Sequence, residues 1–341
     1  MSSIKKEILE KIALTPKGER RAKMLENEEI RNSVLNSGAN VLLYTGDIKQ
    51  NEENIIKKLE NIYVGVILRK NKKGNFDGLG ALGGLAERTK EDEFYALSLE
   101  MRKKLIGVKD DVILENNEAK LITDMDVIRK NNVLREMKEE LDDLGISDVV
   151  IDKDKLKLID MPNLRDDNYM INIWNGMGDC FAITPYCHIY KDEDGIIDKI
   201  LENHSSKQNG EVACFKKIKL IDALDCFGNQ KGEFQLEDGR DAKKDFRYPH
   251  EYLALWGLAG RFVKGDDIVE LALNIQERSN HMVSFREIAK RTKQSIEDIA
   301  VSVNVDTDTL LCMENAMHRV YKHKNNIGIV KSIQNYWNNL R

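Results

Sequence analysis

A short run of charged residues, Arg-Glu-Met-Lys-Glu-Glu at positions 135–140, constrains the fold of this chain more than any other segment. The apolar residues in and around it recur every three or four positions: Leu134, Met137, Leu141 and Leu144. Because residues three and four apart share a helix face, this spacing predicts a helix with one buried stripe. We expect Asp124 or Asp126 to cap its start and Gly145 to follow its end.

Three carboxylates of this helix, Glu136, Glu139 and Glu140, are predicted to share a second face. Like charges on one turn repel each other unless water or a cation screens them. Clustered carboxylate oxygens are the ligands that Mg²⁺ prefers, and this ion takes much of its remaining shell from water and substrate phosphates. The alternative is an ordinary solvated helix face.

A doubled glycine upstream, in Gly-Gly-Leu-Ala-Glu at residues 83–87, gives the acidic run a context. It follows a predicted buried strand at residues 63–68 and a glycine-rich loop. Together these segments resemble the Nudix hydrolases, whose box runs Gly, five residues, Glu, seven residues, Arg-Glu-apolar-x-Glu-Glu-x-Gly-apolar. Three departures stand out: residues 88–132 separate the two halves, Lys90 replaces the box glutamate, and three extra residues precede Gly145.

The resemblance implies an α/β fold, an α/β/α sandwich with a mixed sheet. We expect an N-terminal helical extension over residues 1–58, a Nudix-like catalytic domain over 59–240 with the insertion at 88–132, and a helical accessory domain over 241–341. Strands are predicted near residues 41–44, 112–114, 120–122, 148–151, 156–161, 169–174, 181–190 and 212–220. The extension is expected to be an accessory or dimer element. The insertion is expected to be a decoration, either a substrate-capping element or a dimer arm, so a homodimer is one expected assembly.

The resemblance also implies a metal-dependent pyrophosphohydrolase acting on a nucleoside diphosphate linked to another group, such as ADP-ribose, an NDP-sugar or a dinucleotide. The implied ligands of Mg²⁺, with Mn²⁺ as a substitute, are Glu136, Glu139, Glu140, Glu211 and the Gly84 carbonyl. The implied catalytic residues are Arg135, Glu136, Glu139 and Glu211, and Gly83 and Glu87 would support the turn. Trp174 and Tyr186 are candidates for stacking on a base.

Two other functions remain open at the level of sequence. The long insertion and Lys90 are compatible with a non-catalytic Nudix-like sensor that binds a nucleotide and signals through the C-terminal helices. Residues 78–83 also spell G-x-G-x-x-G, the pattern of a dinucleotide-binding Rossmann unit. In that unit, however, the glycines follow a strand directly and open a helix, whereas a polar loop intervenes here.

Charge and cysteine content narrow the partners and the compartment. The net charge is -5 and the pI about 5.8, which argues against a general nucleic-acid binder. Capping patterns at Ser284-x-x-Glu287 and Ser295-x-x-Asp298, and Asp306 at the start of a third helix through Tyr321, predict C-terminal helices that could form a helix-turn-helix. Residues 251–341, however, hold 12 Lys and Arg against 11 Asp and Glu. Five cysteines without a C-x-x-C pair fit a reducing compartment, and no signal peptide or membrane span is evident. We therefore expect a cytoplasmic protein with a small nucleotide substrate and no membrane partner.

Overall fold

The computed structural model describes residues 38–70, 76–85, 112–115, 118–121, 125–144, 146, 149–162, 164, 186–203, 212–226, 249–279, 282–292 and 294–339. Its strands are β1 (Gly38–Thr45), β2 (Tyr63–Lys70), β3 (Phe76–Gly80), β4 (Leu82–Leu85), β5 (Val112–Glu115), β6 (Glu118–Leu121), β7 (Lys157–Ile159), β8 (Tyr186–Lys191) and β9 (Val212–Lys219). Its helices are α1 (Ile55–Leu59), α2 (Met125–Asp143), α3 (Ile196–Asn203), α4 (Leu220–Leu224), α5 (Pro249–Phe262), α6 (Asp266–Arg278), α7 (Phe285–Thr292), α8 (Ile296–Val303) and α9 (Thr307–Asn339).

The described strands assign the chain to the α/β class, as predicted. Seven of them, β1 to β4 and β7 to β9, belong to one mixed sheet, and β5 and β6 form a separate antiparallel pair. The chain divides into a first unit, residues 1–43, 81–159 and 164–210, and a second unit, residues 44–80, 160–163 and 211–341. Residues 1–37 of the predicted N-terminal extension and residues 88–111 of the predicted insertion lie outside the described part.

In the first unit, β4 pairs antiparallel with β1, and β7 pairs antiparallel with β8. Helix α2 contacts β4. Its buried apolar stripe is close to the predicted one and consists of Val133, Met137, Leu141 and Leu144, with Leu134 half-buried. At the start of α3, the Asp192 carboxylate accepts hydrogen bonds from the Ile196 and Ile197 amides, both at 2.8 Å. Side-chain acceptors of this kind satisfy the amide groups that a helix start leaves open.

In the second unit, β2 pairs antiparallel with both β3 and β9. Its apolar run Val64 to Leu68 is buried. Helix α5 is buried around its whole circumference from Pro249 to Gly260, which is typical of the central helix of a helical domain. The Tyr252 hydroxyl of α5 donates to the Leu224 carbonyl at 2.7 Å, and the rings of Trp256 and Phe285 meet edge to face at 5.3 Å.

The C-terminal helices begin at the predicted caps. Ser295 and Asp298 form a reciprocal capping box at α8, and the Ser284 hydroxyl accepts the Glu287 amide at 3.2 Å. At α9, the Asp306 carboxylate accepts the Thr309 amide at 2.7 Å. Helix α9 continues to Asn339, well beyond the end that the sequence predicts at residue 321. Across the described helices, none is both long and apolar enough to cross a bilayer.

The strand predictions hold in part. The predicted pair near residues 112–122 is confirmed as β5 and β6, whereas β7 is shorter than its predicted range. The strand predicted at 148–151 is wrong for the described residues 149–151. Val150 is 86% exposed there, and Asp152 instead caps a 3₁₀ turn by accepting the Asp154 amide at 2.9 Å. Residues 169–174 and 181–185 lie outside the described part.

Candidate functional site

The acidic helix α2 buries two of its three candidate carboxylates. Glu136 and Glu140 are each 8% exposed, while the side chain of Glu139 is 62% exposed. The predicted common face is therefore split, since only Glu136 and Glu140 turn toward the interior of the first unit. Carboxylates are rarely buried without partners, so this helix is not an ordinary solvated face.

Glu140 meets the glycine segment that the resemblance places beside it. The Gly83 amide in β4 donates to Glu140 Oε2 at 2.8 Å, and this buried hydrogen bond joins residues 57 positions apart. Strand β4 is held by β1, in which Asn40 lies opposite Gly83 and Ala39 opposite Gly84. The structure thus brings together the two halves of the predicted box.

The backbone at Gly83 explains why glycine occupies this position. Its φ angle is +149°, a value that residues with a Cβ atom rarely adopt. The hydrogen bond is made by Gly83, although the resemblance gives a ligand role to the adjacent Gly84. Asn40, a buried polar residue opposite Gly83, was missed by the sequence reasoning because no motif surrounds it.

Arg135 connects the remaining two carboxylates. Its Nη2 lies 2.6 Å from Glu136 Oε1, and its Nη1 lies 3.0 Å from Glu139 Oε1. The arginine side chain is only 12% exposed, so its contact with Glu136 is shielded from water, whereas its contact with Glu139 is exposed. Charge-assisted hydrogen bonds of this type fix the orientation of the carboxylates and favour their ionised form. Arg135 accordingly contacts two of the three carboxylates of α2.

The carboxyl group of Glu136 is strongly perturbed by its surroundings. Burial raises its pKa from 4.5 to about 7, and the negative charges of Glu139 and Glu140 add to the rise. The Arg135 charge and hydrogen bond act in the opposite direction but do not cancel the effect of burial. A carboxyl group with a pKa near neutrality can both accept and release a proton at physiological pH, as a general base must.

The site offers the right atoms for a divalent cation, although its carboxylates do not converge. Its donors are carboxylate oxygens, with the Gly84 carbonyl on the neighbouring strand, and such hard oxygen ligands suit Mg²⁺. Within the described residues, no group of three or more His, Cys, Asp or Glu side chains is arranged to hold a metal. The Arg135 guanidinium contacts two of the carboxylates, so a cation shared by all three requires Arg135 to release at least one.

The contacts above do not include several of the predicted site residues. Glu87, Glu211 and Trp174 lie outside the described residues, so their roles stay predictions. Tyr186 lies in β8, is 5% exposed, and meets the His188 ring edge to face at 5.6 Å. That placement is typical of a core aromatic residue.

The alternative dinucleotide motif has a different structure from the one its function needs. Its first two glycines lie within β3 and its last lies within β4, with Ala81 between the strands. A phosphate-binding glycine loop instead links a strand end to a helix start. The placement of these glycines therefore gives no support to a Rossmann unit.

Comparison with known protein families and with curated proteins gives no match for this chain. The contacts between β4 and α2 are therefore the basis for assigning a function.

Proposed function

We propose that this chain is a metal-dependent pyrophosphohydrolase of the Nudix type, cleaving a nucleoside diphosphate linked to another group. The hydrogen bond from the Gly83 amide to Glu140 is the observation that carries the proposal. It joins the doubled glycine to the Arg-Glu-x-x-Glu-Glu helix across a long insertion, as a split Nudix box requires. The raised pKa of Glu136 beside that contact adds independent chemical support.

The residues of the site have different roles in the proposed hydrolysis. Glu136 takes the proton of the attacking water while the water oxygen bonds to phosphorus. The bridging oxygen leaves with the electrons of the broken P–O bond, and the proton then passes to the products. Arg135 orients Glu136 and Glu139, and the Gly83 amide fixes Glu140. Bound Mg²⁺, held by Glu136, Glu139, Glu140 and the Gly84 carbonyl, would neutralise diphosphate charge and acidify the water.

Turnover of a nucleotide panel tests the proposal. ADP-ribose, NDP-sugars and dinucleoside polyphosphates are incubated with the full chain and Mg²⁺ or Mn²⁺, and the products are separated chromatographically. We expect at least one substrate to yield two phosphate-containing products, and Glu139→Gln with Glu140→Gln to lower its turnover by about 10³-fold or more. The double variant should keep its melting temperature, because the glutamine side chain introduced by Glu140→Gln retains an oxygen acceptor for the Gly83 amide.

Asp142→Asn is the matched control, since it removes an exposed carboxylate from the same helix. It should leave turnover unchanged. Mg²⁺ should raise the melting temperature of the wild type and of Asp142→Asn, but not that of the double variant. Wild-type turnover in the double variant would refute the metal role of these glutamates.

A nucleotide sensor without turnover is the second candidate. The contacts of Arg135 with both Glu136 and Glu139 favour it, because they supply positive charge where a catalytic cation would act. The same panel separates the two functions. A nucleotide that raises the melting temperature without being hydrolysed, in the presence of either metal, would favour the sensor and contradict the hydrolase.

A further inference from the structure

The end of the chain has a charge balance opposite to that of the whole protein. Residues 251–314 hold seven Lys and Arg against eleven Asp and Glu, whereas residues 315–341 hold five against none. The near-neutral total over residues 251–341 conceals this reversal. The last segment also contains seven Asn and Gln and three aromatic residues. Clustered cations with amides and aromatics are the composition of a nucleic-acid-binding segment.

Helix α9 changes character at His318, close to the start of this segment. Leu310, Met313 and Met317 in its first part are buried, and α9 contacts α6 within the second unit. From His318 to Ile327 no residue is buried. His318 lies one turn from Lys322, and Arg319 lies one turn from His323. All four side chains are exposed, and we call these four residues the basic surface of α9.

The basic surface has no internal counter-charge in the described structure. Among the described residues, the side chains of Arg319 and Lys322 form no ion pair or hydrogen bond. The neighbouring Lys324 differs, because its Nζ donates to the carbonyls of Glu277 at 2.7 Å and Ser279 at 2.8 Å at the end of α6. Polar helices that leave the core are usually stabilised by opposite charges four residues apart, and this stretch contains no acid.

We propose that the basic surface of α9 binds the phosphate backbone of a single-stranded nucleic acid. The polyanion supplies the counter-charge that the helix lacks, and the neighbouring amides Asn325 and Asn326, both exposed, offer hydrogen bonds to unpaired bases. A lipid surface fits less well, because a membrane-surface helix needs a continuous apolar face, and Ile327 is the one large hydrophobic residue exposed between His318 and Ile327. An acidic protein also fits less well, because it has no nucleic-acid bases to which the Asn325 and Asn326 amides could hydrogen-bond.

This surface differs from the helix-turn-helix that the sequence suggested. In that arrangement the second helix, α8, would enter a groove of the DNA. The exposed side of α8 instead carries Glu297 and Val301, and its first turn carries Asp298. Carboxylates at this position repel phosphate. The proposed partner is therefore bound through α9 and not through α8.

Fluorescence anisotropy of a labelled, mixed-sequence single strand of about 20 nucleotides tests the proposal with the full chain. EDTA is present, so that binding is measured apart from any metal-dependent hydrolysis. We expect binding to weaken as the salt concentration rises. The slope of log association constant against log salt concentration should be about -0.7 for each phosphate contacted. Arg319→Gln with Lys322→Gln should reduce the slope by about 1.4 units and weaken binding by about fivefold or more near 0.1 M KCl.

Arg286→Gln with Lys290→Gln is the matched control, because it removes one exposed Arg and one exposed Lys, four residues apart, from α7. Circular dichroism verifies that both variants fold. Retained binding by the α7 variant supports the proposal, whereas equal losses in the two variants contradict it. Absence of wild-type binding, or equal competition by polyglutamate or phosphatidylserine vesicles at matched charge, would also overturn it.

Discussion

Helices α2 and α9 each carry a cluster of like charges, but α2 buries most of its cluster and α9 leaves its own in solvent. The carboxylates of α2 are held by the Gly83 amide and by Arg135. The cations Arg319 and Lys322 of α9 make no ion pair among the described residues. Water solvates an exposed charge at little cost, whereas a buried charge requires a partner or a shifted pKa.

The two clusters therefore carry different kinds of functional information. At α2, the burial of Glu136 and Glu140 costs folding free energy, and the same burial raises the pKa of Glu136. At α9, the fold loses nothing by exposing Arg319 and Lys322, so their role must be sought in what they bind. Substitution of Glu136 should accordingly change stability and its pH dependence, and substitution of Arg319 and Lys322 should change binding alone.

The largest expected effect is on the pH dependence of stability at Glu136. Because its pKa is raised to about 7, the folded state retains a proton that the unfolded state releases near pH 4.5. The contribution of Glu136 to the free energy of unfolding is fully present below about pH 4.5. It falls between about pH 4.5 and about pH 7, and above that range it is lost and the free energy no longer changes with this group. The loss amounts to about 3 kcal/mol, at about 1.4 kcal/mol per pKa unit.

Glu136→Gln should remove this decline, because glutamine resembles the protonated carboxyl group. Urea unfolding of both proteins from about pH 4 to about pH 8 measures the difference in free energy. Glu139→Gln is the control, since its side chain is 62% exposed and its substitution should leave most of the slope in place. Identical slopes for wild type and Glu136→Gln would show that Glu136 titrates normally.

The next effect concerns the strand that meets the acidic helix. Gly83→Ala should destabilise the protein by about 2 kcal/mol, because a Cβ is strained at a φ of +149°. Turnover should fall as well if the hydrogen bond to Glu140 shifts. Gly195→Ala is the comparison: its φ is +71°, but a Cβ there would meet no atom within 4 Å. It should cost about 1 kcal/mol and leave turnover unchanged.

The sequence predicted the parts of the molecule that depend on local rules. The period of Met137, Leu141 and Leu144 predicted α2, and hydroxyl and carboxylate caps predicted the starts of α7, α8 and α9. The approach of the glycine segment to Glu140 was anticipated only through a family resemblance, which named the Gly84 carbonyl and not the Gly83 amide, because no local pattern links residues 57 apart. The contacts of Arg135 with two carboxylates depend on packing and rotamers, which one sequence does not specify.

A smaller effect should distinguish the two roles of Glu140. Glu140→Ala leaves the buried Gly83 amide without its acceptor, which should cost about 1–2 kcal/mol of unfolding free energy. Glu140→Gln keeps an oxygen acceptor and should be nearly neutral for stability, while it lowers metal-dependent turnover. Denaturant unfolding and a turnover assay on the two variants separate structure from catalysis. Equal destabilisation by both would indicate that the charge, and not the acceptor, holds β4 to α2.

The smallest effect on stability should come from the basic surface of α9. Arg319→Gln with Lys322→Gln should change the free energy of unfolding by less than about 0.5 kcal/mol, because neither side chain has a partner among the described residues. Lys324→Gln, which removes donors to the Glu277 and Ser279 carbonyls, should cost about 1 kcal/mol in the same measurement. If the double variant were more destabilised than Lys324→Gln, Arg319 and Lys322 would be structural residues. The contrast between the buried, partnered charges of α2 and the exposed charges of α9 would then be wrong.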